Sequence, residues 1–274
     1  MRSKLVFLDI DGTLTQPGMN IPPDSALRAM ARAREKGHKL FLCTGRNYHM
    51  LLPVLRYGFD GAVASSGGYV FTGEKVLFDC PMSRQQLELG MKLLGDKGVL
   101  RTIEAKNGNW ADMEQEQAFA EATGGNSEFL RWRRVISEKL DIRPMQEYDG
   151  SPVYKIVFIC REDSQLLPAR KALEQDFHFL MQDMPAFQCV NGEMVNRLFD
   201  KGRGVRIMSE YFGMPLEDTI GFGDSMNDLE MMETVGYSVC MENGSPRLKE
   251  ECDMVCPAVD ADGLAWAFEK LGLV

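Results

Sequence analysis

The sequence is poor in histidine and has no paired-cysteine motif. Its three histidines, His38, His49 and His178, lack the spacing of metal ligands, so histidine-based catalysis is not expected. The seven cysteines are scattered and include no Cys-x-x-Cys pair. Cys252 and Cys256 are four positions apart, but no second pair completes a zinc site. We therefore expect reduced, buried thiols and a cytoplasmic location.

Long apolar runs and positive charge are also scarce. The apolar run before Asp9 has only four residues, and no later run is long enough for a transmembrane helix, so neither a signal peptide nor a membrane span is expected. The formal net charge of −9 argues against nucleic acids and anionic membranes as partners, because both bind basic surfaces. Residues 131–134 form a basic cluster of the kind found on solvated helix faces.

The residues that are present have the composition of a globular protein, with 45% apolar and 26% charged residues. A chain of 274 residues can build one large core or two domains. Apolar runs at 5–8, 40–43 and 61–64 are separated by helical segments, and the same pattern resumes at Lys201. These features predict an α/β fold with a doubly wound, mostly parallel, Rossmann-like sheet.

The segment 82–195 has a different character. Its predicted elements are a helix with a capping box at 83–86, a hairpin turning at 106–109, helices at 114–123 and 126–139, a strand at 153–160, a helix at 164–175 and strands at 177–182 and 187–190. Hairpins and alternating strands replace the buried runs of the first third. We therefore predict an inserted α+β cap domain at 82–195, with the core formed by 1–81 and 196–274.

Two aspartates, Asp9 and Asp11, follow the first apolar run directly. In an extended segment residues i and i+2 point the same way, so their carboxylates would be crowded together. Such carboxylates repel each other unless a cation or a proton lies between them. Because parallel sheets carry their chemistry beyond the carboxyl ends of the strands, the pair indicates a functional site, although Asp-x-Asp-Gly-Thr could also form only a turn.

Three further polar segments lie at the ends of predicted elements. Thr44-Gly45-Arg46 follows the second strand, Lys201 begins a helix, and Gly223 to Asp228 follow a later strand. Each segment also fits an ordinary role, as a helix cap, a surface lysine or a capped turn. Strand ends in a doubly wound sheet can share one edge, so their joint occurrence favours a single site.

The combination favours phosphoryl transfer. Magnesium could bridge Asp9 and Asp224, since this cation prefers carboxylate and water oxygens. The Thr44 hydroxyl and the Gly45 N–H, placed at a helix N-terminus, could bind a phosphate anion. Lys201 would add a positive charge for the phosphate and for Asp9.

The two N-terminal aspartates would then have different roles. Asp9 would attack phosphorus as a nucleophile. Asp11 would protonate the leaving alcohol and afterwards activate the hydrolytic water. This role requires neighbouring anions to raise the pKa of an aspartate in that position toward the working pH.

These segments resemble the four motifs of the haloacid dehalogenase-like (HAD) phosphatase superfamily. The matching residues are Asp9-Ile10-Asp11-Gly12-Thr13, Thr44-Gly45-Arg46, Lys201-Gly202 and Gly223-Asp224-Ser225-Met226-Asn227-Asp228. The insertion between the second and third motifs resembles the C2 cap of the Cof-type subfamily. The resemblance implies a magnesium-dependent phosphomonoesterase that works through an aspartyl-phosphate. It implies that Asp9 is the nucleophile and Asp11 the acid/base. It implies that the magnesium ligands are the Asp9 carboxylate, the Asp11 backbone carbonyl and Asp224. The implied phosphate-binding residues are Thr44, Gly45, Lys201 and Asn227, and Asp228 would support the metal ligands or Lys201.

The cap of such enzymes closes over the site and selects the substrate. Candidate cap residues are Asn107, Asn109, Trp110, Arg143 and Glu193, all of which also fit turn or surface positions. The expected partner is a small phosphorylated metabolite, with sugar phosphates favoured, and the protein is expected to be a monomer or a homodimer. Two alternatives stay open: a phosphomutase of the same fold and a non-catalytic regulator that binds phosphorylated metabolites.

Overall fold

The computed structural model describes residues 2–112, 142–184 and 189–274, which form two β-sheets with helices packed against them. The predicted helices at 114–123 and 126–139, and the basic cluster at 131–134, lie outside the described residues. None of the described helices is both long and apolar enough to cross a bilayer.

The strands are numbered in chain order. They are β1 (Leu5–Leu8), β2 (Lys39–Cys43), β3 (Gly61–Ala64), β4 (Tyr69–Thr72), β5 (Lys75–Asp79), β6 (Leu100–Ala105), β7 (Gly108–Ala111), β8 (Ile142–Pro144), β9 (Val153–Cys160), β10 (Phe177–Met184), β11 (Cys189–Asn196), β12 (Thr219–Gly223), β13 (Tyr237–Met241) and β14 (Met254–Cys256). The described helices are α1 (Asp24–Glu35), α2 (Tyr48–Leu55), α3 (Arg84–Gly95), α4 (Leu167–Leu173), α5 (Lys201–Phe212), α6 (Leu229–Met232), α7 (Pro246–Glu251) and α8 (Gly263–Lys270).

The first sheet has eight strands in the order β14-β13-β12-β1-β2-β3-β4-β5. The strands from β14 to β3 are parallel, and β4 and β5 continue the sheet as an antiparallel hairpin. Val6 and Leu8 of β1 pack with α1, α2 and α8 on one face, whereas Leu5 and Phe7 pack with α5, α6 and α7 on the other. Helices therefore cover both faces, which confirms the doubly wound α/β prediction.

The second sheet has six strands in the order β10-β11-β9-β6-β7-β8, all antiparallel neighbours except β7 and β8. Helices α3 and α4 cover one face and enclose an apolar core with this sheet. The expectation of half-buried strands is wrong for β9, whose eight residues are all buried, because it lies in the middle of the sheet. The division at 82 and 195 stays a prediction, and β11 continues one residue past it to Asn196.

The helix N-termini agree with the local sequence signals at some positions and differ from them at others. The Ser83 hydroxyl accepts a hydrogen bond from the Gln86 N–H, and the Gln86 side-chain oxygen accepts one from the Ser83 N–H, so the predicted capping box is confirmed. Helix α1 has Pro23 at its cap position and Asp24 already in the helix, although aspartate and serine are the more usual cap residues. The predicted helix at 164–175 begins as a 3₁₀ turn, and only Leu167–Leu173 is α-helical.

A helix packed closely on the first sheet explains Gly204. A Cβ atom at this position of α5 would lie 2.3 Å from Cγ1 of Val63 in β3. Although alanine has the higher helix propensity, we expect Gly204→Ala to lower the free energy of unfolding by about 1–3 kcal/mol, because the helix must move off the sheet. Urea unfolding measures this, with Glu210→Ala on the exposed face of α5 as control. A Gly204→Ala protein as stable as the wild type would contradict the packing.

Candidate active site

The carboxyl ends of three neighbouring parallel strands meet at one edge of the first sheet. Leu8 of β1 is in register with Phe222 of β12 and with Leu42 of β2. Asp9, Thr44 and Asp224, which follow these strands, therefore come to the same level. The N-terminus of α5 brings Lys201 to the same place, as the predicted shared edge requires.

Lys201 is the centre of this cluster. Its Nζ donates to Asp9 Oδ1 at 2.9 Å, Asn227 Oδ1 at 3.0 Å and Asp228 Oδ1 at 2.5 Å. The side chain is fully buried, so the alternative of a surface lysine at a helix start is wrong. Asp228 Oδ2 also accepts from the backbone N–H groups of Asp224 and Ser225, which fixes the loop after β12 to the lysine.

Burial sets the electrostatics of the cluster. The pKa of Asp9 is raised from 3.8 to about 8, mainly by burial; the charge of Lys201 acts to lower this pKa, and the charges of Asp228 and Asp11 act to raise it. Burial acts to lower the pKa of Lys201, but the carboxylates of Asp228 and Asp9 outweigh it and hold the pKa well above its ordinary value. Lys201 is thus a permanent cation, and Asp9 needs additional positive charge to be ionised at neutral pH.

Three carboxylates are placed to bind a metal ion, which would provide this positive charge. Oxygen atoms of Asp9, Asp224 and Asp228 lie within 4.8 Å of one another, and all three residues are buried. Hard carboxylate oxygens are suitable ligands for Mg²⁺, and a divalent cation would lower the raised pKa of Asp9. The residues therefore fit the predicted cation, with Asp228 joining the cluster in addition to its contact with Lys201.

The carboxylate of Asp11 forms an ion pair with a residue of the second motif, and its charge also raises the pKa of Asp9. Strand β1 ends at Leu8, so Asp9 and Asp11 belong to the loop that follows it. Arg46 donates two hydrogen bonds to the Asp11 carboxylate, from Nε to Oδ2 at 2.8 Å and from a terminal nitrogen to Oδ1 at 2.7 Å. The Gly18 N–H also donates to Asp11 Oδ1. Both partners of the ion pair are buried.

Arg46 is a further residue of the site, one to which the motif pattern by itself assigned no role. Its guanidinium also donates to Asn20 Oδ1 and the Met19 carbonyl, so it ties the loop after β1 to the loop after β2. A planar guanidinium is suited to this bidentate geometry. Its position in the second motif was the only sequence feature that indicated a functional role. The fold shows that the carboxylate it binds is that of Asp11.

The loop after β2 differs from the prediction in one respect. Helix α2 begins at Tyr48, and its cap is Asn47, whose side chain accepts from the Met50 N–H. Gly45 lies in a bend before the helix. The expectation that its N–H lies at a helix N-terminus is therefore wrong. Thr44 and Gly45 are nevertheless buried at the same sheet edge as Asp9.

Gly12 explains how the first and fourth motifs approach each other. It has φ of +86°, and a Cβ atom there would lie 2.3 Å from Oδ2 of Asp224. Any side chain would therefore both strain the backbone and displace a carboxylate of the cluster. The glycine of Asp-x-Asp-Gly-Thr is required for the carboxylate site as well as for the turn.

A cavity of about 500 Å³ lies between this edge and the second sheet. The core contributes Ser66, Lys201, Ser225 and Asn227 among others, and the second sheet contributes Val157, His178, Asn191, Glu193 and Val195 among others. Of the five predicted cap residues only Glu193 lines it. A cavity of this volume is in the range of small-molecule sites.

The other four cap candidates have structural contacts in the described part of the chain. Trp110 is buried in the cap core and donates to the Glu147 carbonyl, and Arg143 stacks on its ring. Asn109 accepts a hydrogen bond from Asn47 at 2.8 Å, and Asn107 hydrogen-bonds Asp149. These residues hold the cap together or seat it on α2.

Comparison with known proteins agrees with this geometry. Residues 6–268 match the family profile of haloacid dehalogenase-like hydrolases. A phosphoglycolate phosphatase of Methanosarcina acetivorans is 36% identical over 277 residues, covering 99% of this chain and 97% of that protein. An HMP-PP phosphatase of Yersinia enterocolitica is 28% identical over 258 residues, covering 90% and 87%.

A solved structure shows the same fold. The HAD subclass IIB sugar phosphatase BT4131 superposes with a TM-score of 0.76 at 21% identity, covering 99% of this chain and 100% of that one. Since the profile match spans nearly the whole sequence and includes all four motifs, the chain belongs to the haloacid dehalogenase-like hydrolase family.

Proposed function

We propose that the protein is a magnesium-dependent phosphatase that hydrolyses small phosphorylated metabolites, with sugar phosphates as the favoured class, through an aspartyl-phosphate. The observation that carries the proposal is the buried cluster of Asp9, Asp224 and Asp228 around Lys201, which adjoins a cavity of metabolite size. The relatives, named as phosphatases, support the phosphatase activity.

The phosphate would bind where Lys201 and Asn227 border the cavity, with Thr44 and Gly45 at the adjoining strand end. Asn227 Oδ1 accepts from both Lys201 and Ser225, which orients its amide nitrogen as the available donor. Magnesium, when bound by the carboxylates, would supply positive charge that offsets the charge of the phosphoryl oxygens.

The first step would be attack of an Asp9 carboxylate oxygen on phosphorus, which forms the Asp9–phosphorus bond and breaks the bond from phosphorus to the alcohol oxygen. Asp11 would give its proton to that departing oxygen. In the second step water would attack phosphorus and Asp11 would take the water's proton. The bond from phosphorus to the Asp9 oxygen would break, which regenerates the Asp9 carboxylate and gives inorganic phosphate. Arg46 would hold the Asp11 carboxylate in one orientation between these steps.

Removal of the metal tests the proposal directly. With p-nitrophenyl phosphate and Mg²⁺ we expect release of phosphate, and with excess chelator a fall of about 100-fold, because the carboxylate cluster loses its counter-charge. Activity should return when Mg²⁺ is restored, and thermal unfolding should show that the chelated protein is still folded. Equal rates with and without chelator would contradict the metal assignment, and no hydrolysis of any phosphomonoester would contradict the proposed activity.

A further inference from the structure

One face of the second sheet borders the cavity, and strand alternation decides which residues reach it. On β11 the residues Val190 and Met194 face α3 and α4 in the cap core. The residues Asn191, Glu193 and Val195 face the opposite way and line the cavity. Two relatives are named for different substrates, phosphoglycolate and HMP-PP, and the residues that border the cavity are those placed to discriminate among leaving groups.

Glu193 is held in place by a buried lysine. Glu193 is in register with Val157 of β9, so Lys155, two residues earlier on β9, is its diagonal neighbour. Lys155 Nζ donates to both carboxylate oxygens of Glu193 at 3.3 Å and lies 3.4 Å from Oε2 of Glu104. Lys155 and Glu104 are fully buried, whereas the Glu193 side chain is 20% exposed.

The charge of this trio is negative at the cavity. Glu193 is the member that borders the cavity, and the buried Lys155 binds its carboxylate from within the sheet. A carboxylate so placed accepts hydrogen bonds from hydroxyl or amino groups and repels a carboxylate. Two cationic residues border the cavity: Lys201, which is bound by the carboxylate cluster, and Arg197, which is exposed and donates to the Glu174 carbonyl. Burial and the charge of Arg197 lower the pKa of His178, which is the other titratable nitrogen base of the wall.

Asn191 adds a second acceptor on the same strand. Its Oδ1 is buried and has no hydrogen-bond partner among the described residues. A buried carbonyl oxygen without a partner is unfavourable, so a donor on a bound molecule would stabilise it. The neighbouring lining residues Val157, Val195 and Phe199 are apolar and offer a surface for carbon–hydrogen or ring faces.

We propose that Asn191 and Glu193, with Glu193 positioned by Lys155, form the subsite that recognises the leaving group. The substrate class is then a phosphomonoester of an alcohol that carries hydroxyl or amino donors, no carboxylate, and an apolar face. A carboxylate-bearing ester such as 2-phosphoglycolate is disfavoured by Glu193. The inference rests on the proposed phosphatase function and specifies its substrates.

The test is a ratio of two kcat/KM values, that for the best hydroxyl-bearing ester of a sugar-phosphate panel and that for 2-phosphoglycolate. The wild type should prefer the hydroxyl-bearing ester. Glu193→Gln should lower the ratio by about tenfold or more, since it weakens a charge-assisted hydrogen bond and removes the repulsion of an anion. Glu88→Gln on the outer helix α3 is the matched control and should leave the ratio unchanged.

A second variant separates recognition from folding. Asn191→Leu should lower the same ratio by about threefold to tenfold, because one neutral acceptor is lost. Its Tm should be no lower than that of the wild type, since a buried oxygen without a partner is removed. A merely structural role for Asn191 would instead lower the Tm and leave the ratio unchanged.

The outcomes are distinct. A ratio that neither variant changes, or a wild type that prefers 2-phosphoglycolate, overturns this inference and leaves the phosphatase proposal standing. A wild type that releases phosphate from no ester, including p-nitrophenyl phosphate, overturns the proposed function itself. Preference for the hydroxyl-bearing ester, lost in both variants and kept in Glu88→Gln, supports the subsite.

Discussion

Replacing Asp9 with asparagine is expected to lower phosphatase turnover by about 10⁴-fold or more while the fold is kept. An amide oxygen is too weak a nucleophile to attack phosphorus. The amide has the same shape as the carboxylate and its oxygen can still accept the hydrogen bond from Lys201 Nζ. Steady-state release of phosphate measures the effect, and circular dichroism with thermal unfolding checks the fold.

The control for this variant is an aspartate of the same type away from the cluster. Asp260 is exposed in a 3₁₀ turn near the C-terminus, and Asp260→Asn should keep full activity. Retention of more than a few per cent of activity in Asp9→Asn would disprove the covalent mechanism. The wild type should in addition show a burst of p-nitrophenolate when dephosphorylation is the slower step.

Replacement of Asp11 is expected to have the second largest effect. Asp11→Ala should slow hydrolysis by about 10²–10⁴-fold, because the leaving alkoxide and the attacking water lose their proton donor and acceptor. The effect should be greater with an alkyl phosphate than with p-nitrophenyl phosphate, since p-nitrophenolate departs without a proton. Single-turnover rates of phosphate release with both esters measure this difference.

The ion pair with Arg46 requires a second variant at the same position. Asp11→Ala leaves the buried Arg46 guanidinium without its carboxylate, which can disturb the loops after β1 and β2. Asp11→Asn keeps an oxygen that can accept from Arg46 and should lose a similar amount of activity. Full activity in Asp11→Asn would show that another residue transfers the proton.

Local sequence signals were sufficient for much of the fold. The apolar run of β1 is buried on both faces, as a continuous run predicts, and the helix at Lys201–Phe212 has the predicted start and its left-handed glycine at position 213. These features depend on neighbours within a few positions along the chain. The residues that cap the helix N-termini were predicted less well, as Pro23 of α1 and Asn47 of α2 show, because neighbouring residues can each occupy the N-cap position.

The residues of the candidate site were predicted, but several of their contacts were not. Lys201 had no local signal that distinguished it from a surface lysine, and its burial results from α5 packing against the loop after β12. The ion pair of Asp11 with Arg46, 35 positions later in the chain, was not predicted. In the cap domain, the candidates Trp110 and Asn109 have packing contacts and do not line the cavity. Lys155 and Asn191 were not among the residues predicted to contribute to substrate binding.

The sequence by itself determined the chemistry that is available: the acidic residues after β1 and β12, the lysine at α5 and the alternation of strands and helices that brings strand ends to one edge. Only the tertiary structure decided which carboxylate meets which cation and which face of β11 borders the cavity. The physical reason is that periodicity follows from local backbone geometry, whereas an ion pair depends on distances between segments far apart in the chain.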